Sequence, residues 1–318
     1  EFSGPDADRL MNKLFTRDIT QLKVGRCGYG IACYEDGGML VDGILVRLNE
    51  DLFWYVQADG DFYSWARAHA IGMDVEISDP DVFVSQVQGP NSLKFLDAAS
   101  RDGIPDPFDY YGIARVVLGE QEFTITRTGF TNELGWEIYT EPHHDANALW
   151  EHFQKVGEPF GLDMVPVDAS NPRRIEAGIL NAGSDFNRFT TPYDVGLGRF
   201  VADVKSDFMG KAALQAAPRE RRLHGFTCLG GEPVVSGIAE LNGEKIGVVT
   251  AAAMSPLLGH GIGFVLLHSP EHKPGARIGV GCRDGSLQAA ELVEVPFYDK
   301  HGNIPRGRLV DIPTRPSF

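Results

Sequence analysis

The sequence predicts an α+β fold followed by a β-rich unit. Three observations predict it: a repeated order of strands closed by a helix, a pair of matching Gly-Pro turns, and a loss of helical pattern after about residue 220. At 318 residues the chain is about twice the length of one average domain, so two or three packed units are expected.

The elements follow in order. Phe2-Ser3-Gly4-Pro5 leads into the helical spacing Leu10, Met11, Leu14, Phe15. Gly38–Leu48 is rich in apolar and β-branched residues, and Asp51–Ala58 follows after Asn49-Glu50, which reads as a hairpin turn. Asp61–Ala70 reads as a helix with Asp61 near its start, where a carboxylate accepts an orphan backbone N–H. Asp74–Ile77 and Val82–Val87 return to strand character. The grammar then repeats. Gly89-Pro90-Asn91-Ser92 leads into Leu93, Phe95 and Leu96; Ala114–Leu118, Gln121–Arg127 and Gly135–Tyr139 read as strands, and Ala146–Val156 as a helix. In both echoes Pro is expected in the first helical turn, where its missing N–H costs nothing. Gly4 and Gly89 lie about 85 residues apart, which fits two related subdomains and is too long for a solenoid repeat.

Lys211–Arg222 reads as a linking helix. Beyond it, short β-like pieces recur at Leu223–Leu229, Pro233–Leu241, Glu244–Thr250, Ile262–Leu267, Arg277–Val280 and Leu287–Val295. Gly, Pro and Asn punctuate them, as in a small barrel or sandwich. The expected units are residues 1–85, 86–215 and 216–318. The opening Glu1-Phe2-Ser3-Gly4-Pro5 reads like the middle of a strand, as though an N-terminal piece of the first unit were missing.

Composition narrows the function. Apolar residues make up 43% and the net charge is −15. Such an acidic chain repels phosphate backbones and anionic lipid, so nucleic acid and membrane surfaces are poor partners. No run approaches ~18 apolar residues, and no signal segment opens the chain, so a cytoplasmic protein is expected. The four cysteines form no CxxC, which argues against a metal site and for reduced, buried thiols. Gly279-Val280-Gly281 lacks the third glycine and the following helix of a dinucleotide loop.

Three segments carry chemistry. In Gly37-Gly38-Met39-Leu40-Val41-Asp42-Gly43 a carboxylate stands among apolar strand residues, where burial without a partner is costly; a turn or edge position is the alternative. In Thr128-Gly129-Phe130-Thr131-Asn132-Glu133-Leu134-Gly135-Trp136-Glu137 two glycines bracket a tight loop, and Glu137 enters a strand. A carboxylate there can accept paired N–H bonds from a planar heterocycle, or simply face outward on a hairpin. In Pro172-Arg173-Arg174-Ile175-Glu176 the arginines either bind an anion, or Arg173 pairs with Glu176 one helical turn on.

Together these segments resemble one family, the glycine-cleavage T-protein (aminomethyltransferase) superfamily of tetrahydrofolate-dependent one-carbon transferases. The markers run in the family's order over nearly the whole chain: Gly37–Asp42, Gln88–Ser92, Thr128–Glu137, Arg173–Gly178, Asp207–Leu214, Val249–Gly263 and Val295–Asp299. The resemblance implies a three-domain ring, two related α+β subdomains plus a C-terminal β-barrel, around a central folate channel. Members lead into the first Gly-Pro turn with roughly fifty more residues. Asp42 resembles the family's catalytic carboxylate, and Glu137 the one that grips the pterin. Phe130 stands for an aromatic beside the pterin. Arg174 resembles a helix-borne arginine at the folate or substrate carboxylate, and Tyr29 is expected among the cofactor-binding residues. Tetrahydrofolate is the implied one-carbon acceptor, with no metal.

The departures set the donor expected from sequence. Asn132 replaces a usual glycine, and Gly25–Tyr29, Phe53–Asp59, Ala182–Asp185 and Arg199 resemble folate-dependent demethylases such as the dimethylsulfoniopropionate branch. The leading expectation is therefore methyl transfer from a small S-, O- or N-methylated donor to N5 of tetrahydrofolate. The alternative is aminomethyl transfer from a lipoyl carrier protein, for which Arg173, Arg174, Arg188 and Arg199 would have to supply a basic docking patch. A second alternative is a non-catalytic folate-binding iron–sulfur assembly factor, whose KxCYxGQE signature is absent.

Overall fold

The structure, a computed structural model, describes residues 1–309, the side chains of Val167 and Asp168 excepted. Residues 310–318 of the third expected unit lie outside the described residues.

The first unit runs β1 (Phe2–Ser3), α1 (Ala7–Leu14), β2 (Arg26–Cys33), β3 (Met39–Arg47), β4 (Leu52–Val56), α2 (Phe62–His69) and β5 (Glu76–Ile77). Its antiparallel sheet has the order β2-β3-β4-β1-β5. Helix α1 forms because Ala7, Leu10, Met11 and Leu14 recur at helical spacing, and all four are buried against the sheet. Asp61 caps α2, its side chain accepting from Ser64 N at 2.9 Å.

The second unit repeats the plan: β6 (Phe83–Gln88), α3 (Ser92–Ala99), β7 (Ile113–Leu118), β8 (Gln121–Thr126), β9 (Gly135–Thr140) and α4 (Ala146–Gly157), with sheet order β6-β9-β8-β7. The matching turns share the backbone angle of their glycines. Gly4 has φ 125° and Gly89 φ 126°, a region open to glycine alone. The prolines sit one place earlier than expected. Pro5 and Pro90 precede the N-caps Asp6 and Asn91, so each closes the turn and the helix starts after it.

Helix α5 (Val167–Glu176) and a short α6 (Lys211–Ala216) connect to the barrel. The expected linking helix to Arg222 stops at Ala216, because Pro218 forces Ala217 into an extended conformation (φ −71°, ψ 146°). The barrel is closed, in the order β10-β13-β12-β11-β14-β15. Its strands are β10 (Leu223–Cys228), β11 (Ile238–Leu241), β12 (Glu244–Met254), β13 (Gly261–Leu267), β14 (Arg277–Gly281) and β15 (Leu287–Val293). The strand expected from Pro233 starts only at Ile238, after Ser236 takes positive φ (67°).

Two shared cores position the site. Cys27, Val46 and Trp54 of the first sheet pack on Tyr139 of the second, joined by Tyr111 and Ile113. The edge of β2 continues into the second unit, where Cys27 N donates to Tyr111 O at 2.8 Å. A larger core joins Ile31, Cys33 and Met39 to Leu180, Phe186 and Tyr193, and to Leu223, Ala251, Ile262 and Phe264 of the barrel.

Candidate functional site

The site is built from two carboxylates on two related sheets. Asp42 lies in the middle of β3. Alternation buries Met39, Val41 and Leu45 in the core and turns Leu40, Asp42 and Ile44 to the other, half-buried face. On β2, Ile31 pairs with Asp42 and Tyr29 with Ile44, so Tyr29 stands diagonally beside Asp42. The Tyr29 hydroxyl donates to Asp42 Oδ2. Its ring packs on Phe200 at 4.5 Å. Burial pushes the Asp42 carboxyl up to about 6 against the opposing pull of that hydrogen bond, and the charges of Asp185 and Asp59 add to the rise.

Glu137 lies on β9, paired in register with Gln86 on β6 and Thr126 on β8. It is buried, not outward. Gln86 Nε2 donates to Oε1 at 3.0 Å, and the Thr128 hydroxyl donates to Oε2. Among the described residues no cation pairs with it. Burial accordingly pushes its carboxyl above the usual range, with Thr128 pulling the other way. One lone pair remains on each oxygen for an incoming N–H donor.

The Thr128–Leu134 loop is braced from three directions. Gln88 Nε2 donates to Thr128 O at 3.2 Å, and Thr131 Oγ1 donates to Gln88 Oε1 at 2.9 Å. The Tyr298 hydroxyl, from the segment leaving the barrel, donates to Thr131 O, and lies 3.1 Å from a Glu133 carboxylate oxygen. Arg173 of α5 bridges Glu133 and Glu176. Phe130 is half-exposed at the loop's tip. Asn132 sits at φ 55°, a conformation that glycine and asparagine both tolerate. Its difference from the usual glycine is thus answered by the backbone and carries little information about the donor.

Arg174 lies elsewhere in the network. Its Nη1 donates to Asp185 Oδ2 at 2.7 Å and to Ile179 O at 3.1 Å, and its Nε donates to Asn171 at 2.9 Å. Asp185 in turn accepts from Thr250 of β12 at 2.7 Å. Arg174 therefore ties α5 and the turn after it to the barrel, with its charge already answered. It meets Asp42 only through the field of Asp185. Arg173 and Arg174 are both held in such pairs, and Arg188 pairs with Asp36 at 3.1 Å, so the expected basic patch is largely neutralised.

Tyrosines span the interval between the two carboxylates. Tyr29 lies within electrostatic reach of Tyr55 and Tyr111, and Tyr110 within reach of Glu137. The rings of Tyr110 and Tyr111 are 4.4 Å apart, and Arg306 lies over Tyr110 at 5.0 Å. Arg127 Nε and Asn132 Nδ2, in the same unit as Glu137, are buried with no partner among the described residues. Arg127 lies over the Trp136 ring, and since Trp136 and Glu137 alternate along β9 it serves the opposite face of the sheet from Glu137. Of the residues singled out in the sequence, the structure joins Tyr29 to Asp42 and gives Glu137 its partners Gln86 and Thr128. Gln86, Tyr298 and Asp185 were not singled out as supports, because each meets its partner only through long-range folding. Among the described residues no group of His, Cys, Asp or Glu could hold a metal, all four cysteines are free and buried, and no helix is long and apolar enough to cross a membrane.

Residues 1–205 match the family model described as the GCVT N-terminal domain, and residues 221–299 the glycine cleavage T-protein C-terminal barrel domain. The chain is 36% identical to an aminomethyltransferase of Streptomyces coelicolor, covering 94% of this chain and 83% of that protein. It is 32% identical to one of Halothermothrix orenii, covering 92% and 84%. It is also 31% identical to a trimethylamine-oxide aldolase of Ruegeria pomeroyi over 96% of this chain, but spans only 41% of that longer protein. The crystal structure of the glycine cleavage system aminomethyltransferase T from Bartonella henselae superposes with a TM-score of 0.83 at 25% identity, covering 94% of this chain and 83% of that one. With both of its domains matched and relatives of 30% identity or more along nearly its whole length, the chain belongs to the glycine-cleavage T-protein family of one-carbon transferases.

Proposed function

We propose that this chain transfers a one-carbon unit from an amine-bearing donor to tetrahydrofolate. The relatives' names support aminomethyl transfer more than the methyl transfer expected from sequence, since most are aminomethyltransferases and the trimethylamine-oxide aldolase also takes its name from an amine compound. The carrying observation is Asp42: a half-buried carboxyl raised to about 6 and held at one oxygen by Tyr29.

Glu137 would anchor the pterin edge, with Phe130 against its face. Bound tetrahydrofolate supplies the nitrogens that accept the carbon. Asp42 is mostly ionised at neutral pH, yet its raised pKa suits it to holding a proton in transit. It takes the proton released as a new C–N bond forms and returns it to the departing amine. Its charge also steadies positive charge at the reacting carbon.

Methyl transfer is the second reading. Ala182–Asp185 and Arg199 favour it as departures from the usual pattern, and the neutralised basic patch favours a small donor over a carrier protein. Mass spectrometry of the folate product separates the two. An aminomethyl-lipoyl carrier and a panel of sulfonium, methoxy and N-methyl compounds are supplied in parallel. 5,10-Methylenetetrahydrofolate is expected; 5-methyltetrahydrofolate instead would establish methyl transfer, and turnover with neither would reject both.

A further inference from the structure

A cavity of about 640 Å³ opens at the start of β3, the strand that carries Asp42, and is used by nothing described above. Leu40, two residues before Asp42 on the same face of β3, lines one wall. Ala182 and Gly183, from the turn held by Asp185, line another. Asp59 also lines it, and the charges of both Asp59 and Asp185 reach Asp42. No residue around Glu137 takes part. The cavity is thus an approach to Asp42 that leaves the pterin side free.

Its chemistry is that of a cation site. Tyr34 and Trp65 line it, their rings 5.2 Å apart edge-on. The Arg188 guanidinium already lies over the Tyr34 ring at 5.2 Å, so this wall holds a cation on an aromatic face. Asp36 answers that arginine. Asp59 and Asp61 line the same cavity and form no ion pair among the described residues, so the cavity keeps a net negative field.

We propose that this cavity is the donor port, and that it takes a compact alkylammonium group. The inference rests on the one-carbon transfer reading and names the side from which the amine-bearing donor reaches Asp42. Aromatic rings and Asp59 hold the ammonium, and an anionic donor is repelled.

The test uses the full chain and three probes of similar size: methoxyethylammonium, neutral dimethoxyethane and anionic methoxyacetate. Binding is followed by calorimetry and by tryptophan fluorescence. Saturable binding of the ammonium alone is expected, with Asp59→Asn weakening it by roughly tenfold and Trp65→Phe removing the fluorescence change. Asp59 is exposed, so its variant should fold, and thermal melting checks this. Equal binding of the neutral ether, no saturable ammonium binding, or an Asp59→Asn variant with unchanged affinity would overturn the port. Tetrahydrofolate is titrated into the same samples. Folate binding without ammonium binding defeats this inference alone; ammonium binding without folate binding keeps the cavity as a cation site and defeats the folate reading.

Discussion

At Asp42 burial and a hydrogen bond pull in opposite directions, and burial wins, leaving the carboxyl at about 6. The native state therefore holds the proton to higher pH than the unfolded chain does. Between the ordinary carboxylate range and pH ~6, stability falls as pH rises, because the native form binds more protons there. Ionised Asp42 destabilises the fold at neutral pH by an amount of order 2 kcal/mol. Asp42→Asn should then raise the melting temperature at neutral pH, with the gain vanishing below pH ~4, while kcat falls about 10²-fold or more. Parallel melting curves at both pH values check the first part, and steady-state kinetics the second. A variant that is both active and no more stable would return Asp42 to a structural role. In the wild type, activity should fall as pH drops through about 6, as Asp42 takes up its proton. Glu137 is expected to act on binding. Glu137→Ala should weaken tetrahydrofolate by roughly 2–5 kcal/mol, measurable by calorimetry.

Among elements, α5 carries the largest risk per substitution. Arg174 and Asp185 are both buried and face each other at 2.7 Å. Arg174→Met should destabilise by about 3–5 kcal/mol, because Asp185 is left charged and unpaired. Adding Asp185→Asn should recover a large part, and denaturant melts of the two singles and the double measure that coupling. The same elements show how far the sequence could be read. Helix α1, strands β3 and β4 and the capped α2 were legible because their signals are local: apolar spacing, alternation, and a capping Asp. The segments around Asp42 and Glu137 stood out because each is a continuous motif. The pairing of Arg174 with Asp185 was not legible. The partner lies on a turn after the helix, and nothing in the spacing of Arg173 and Arg174 says which one that turn will reach. The exit segment was illegible for a related reason: Tyr298 meets Thr131 across a separation of 167 residues.

On the scale of the whole molecule, the barrel has an interior core of its own, with Phe226, Val265 and Leu292, and shares a second one with the rest of the chain. Leu223, Ala251, Ile262 and Phe264 share one apolar cluster with Ile31 and Met39 of the first sheet. Opening the barrel alone would expose residues of both. A single cooperative thermal transition is therefore expected by calorimetry, with the calorimetric and van't Hoff enthalpies in agreement. Two separated transitions would show that the shared cluster is too weak to couple the units. The net charge of −15 adds self-repulsion, so moderate salt should raise that transition.

Glu137 has only neutral donors, Gln86 and Thr128, and burial biases it toward its protonated form. A guest that brings N–H donors favours the anion, so on the proposed reading, with the pterin at Glu137, folate binding is expected to release protons from the enzyme. Its affinity should strengthen as pH rises through the range in which free Glu137 titrates. Its apparent heat should differ between phosphate and Tris in proportion to the ionisation enthalpy of each buffer.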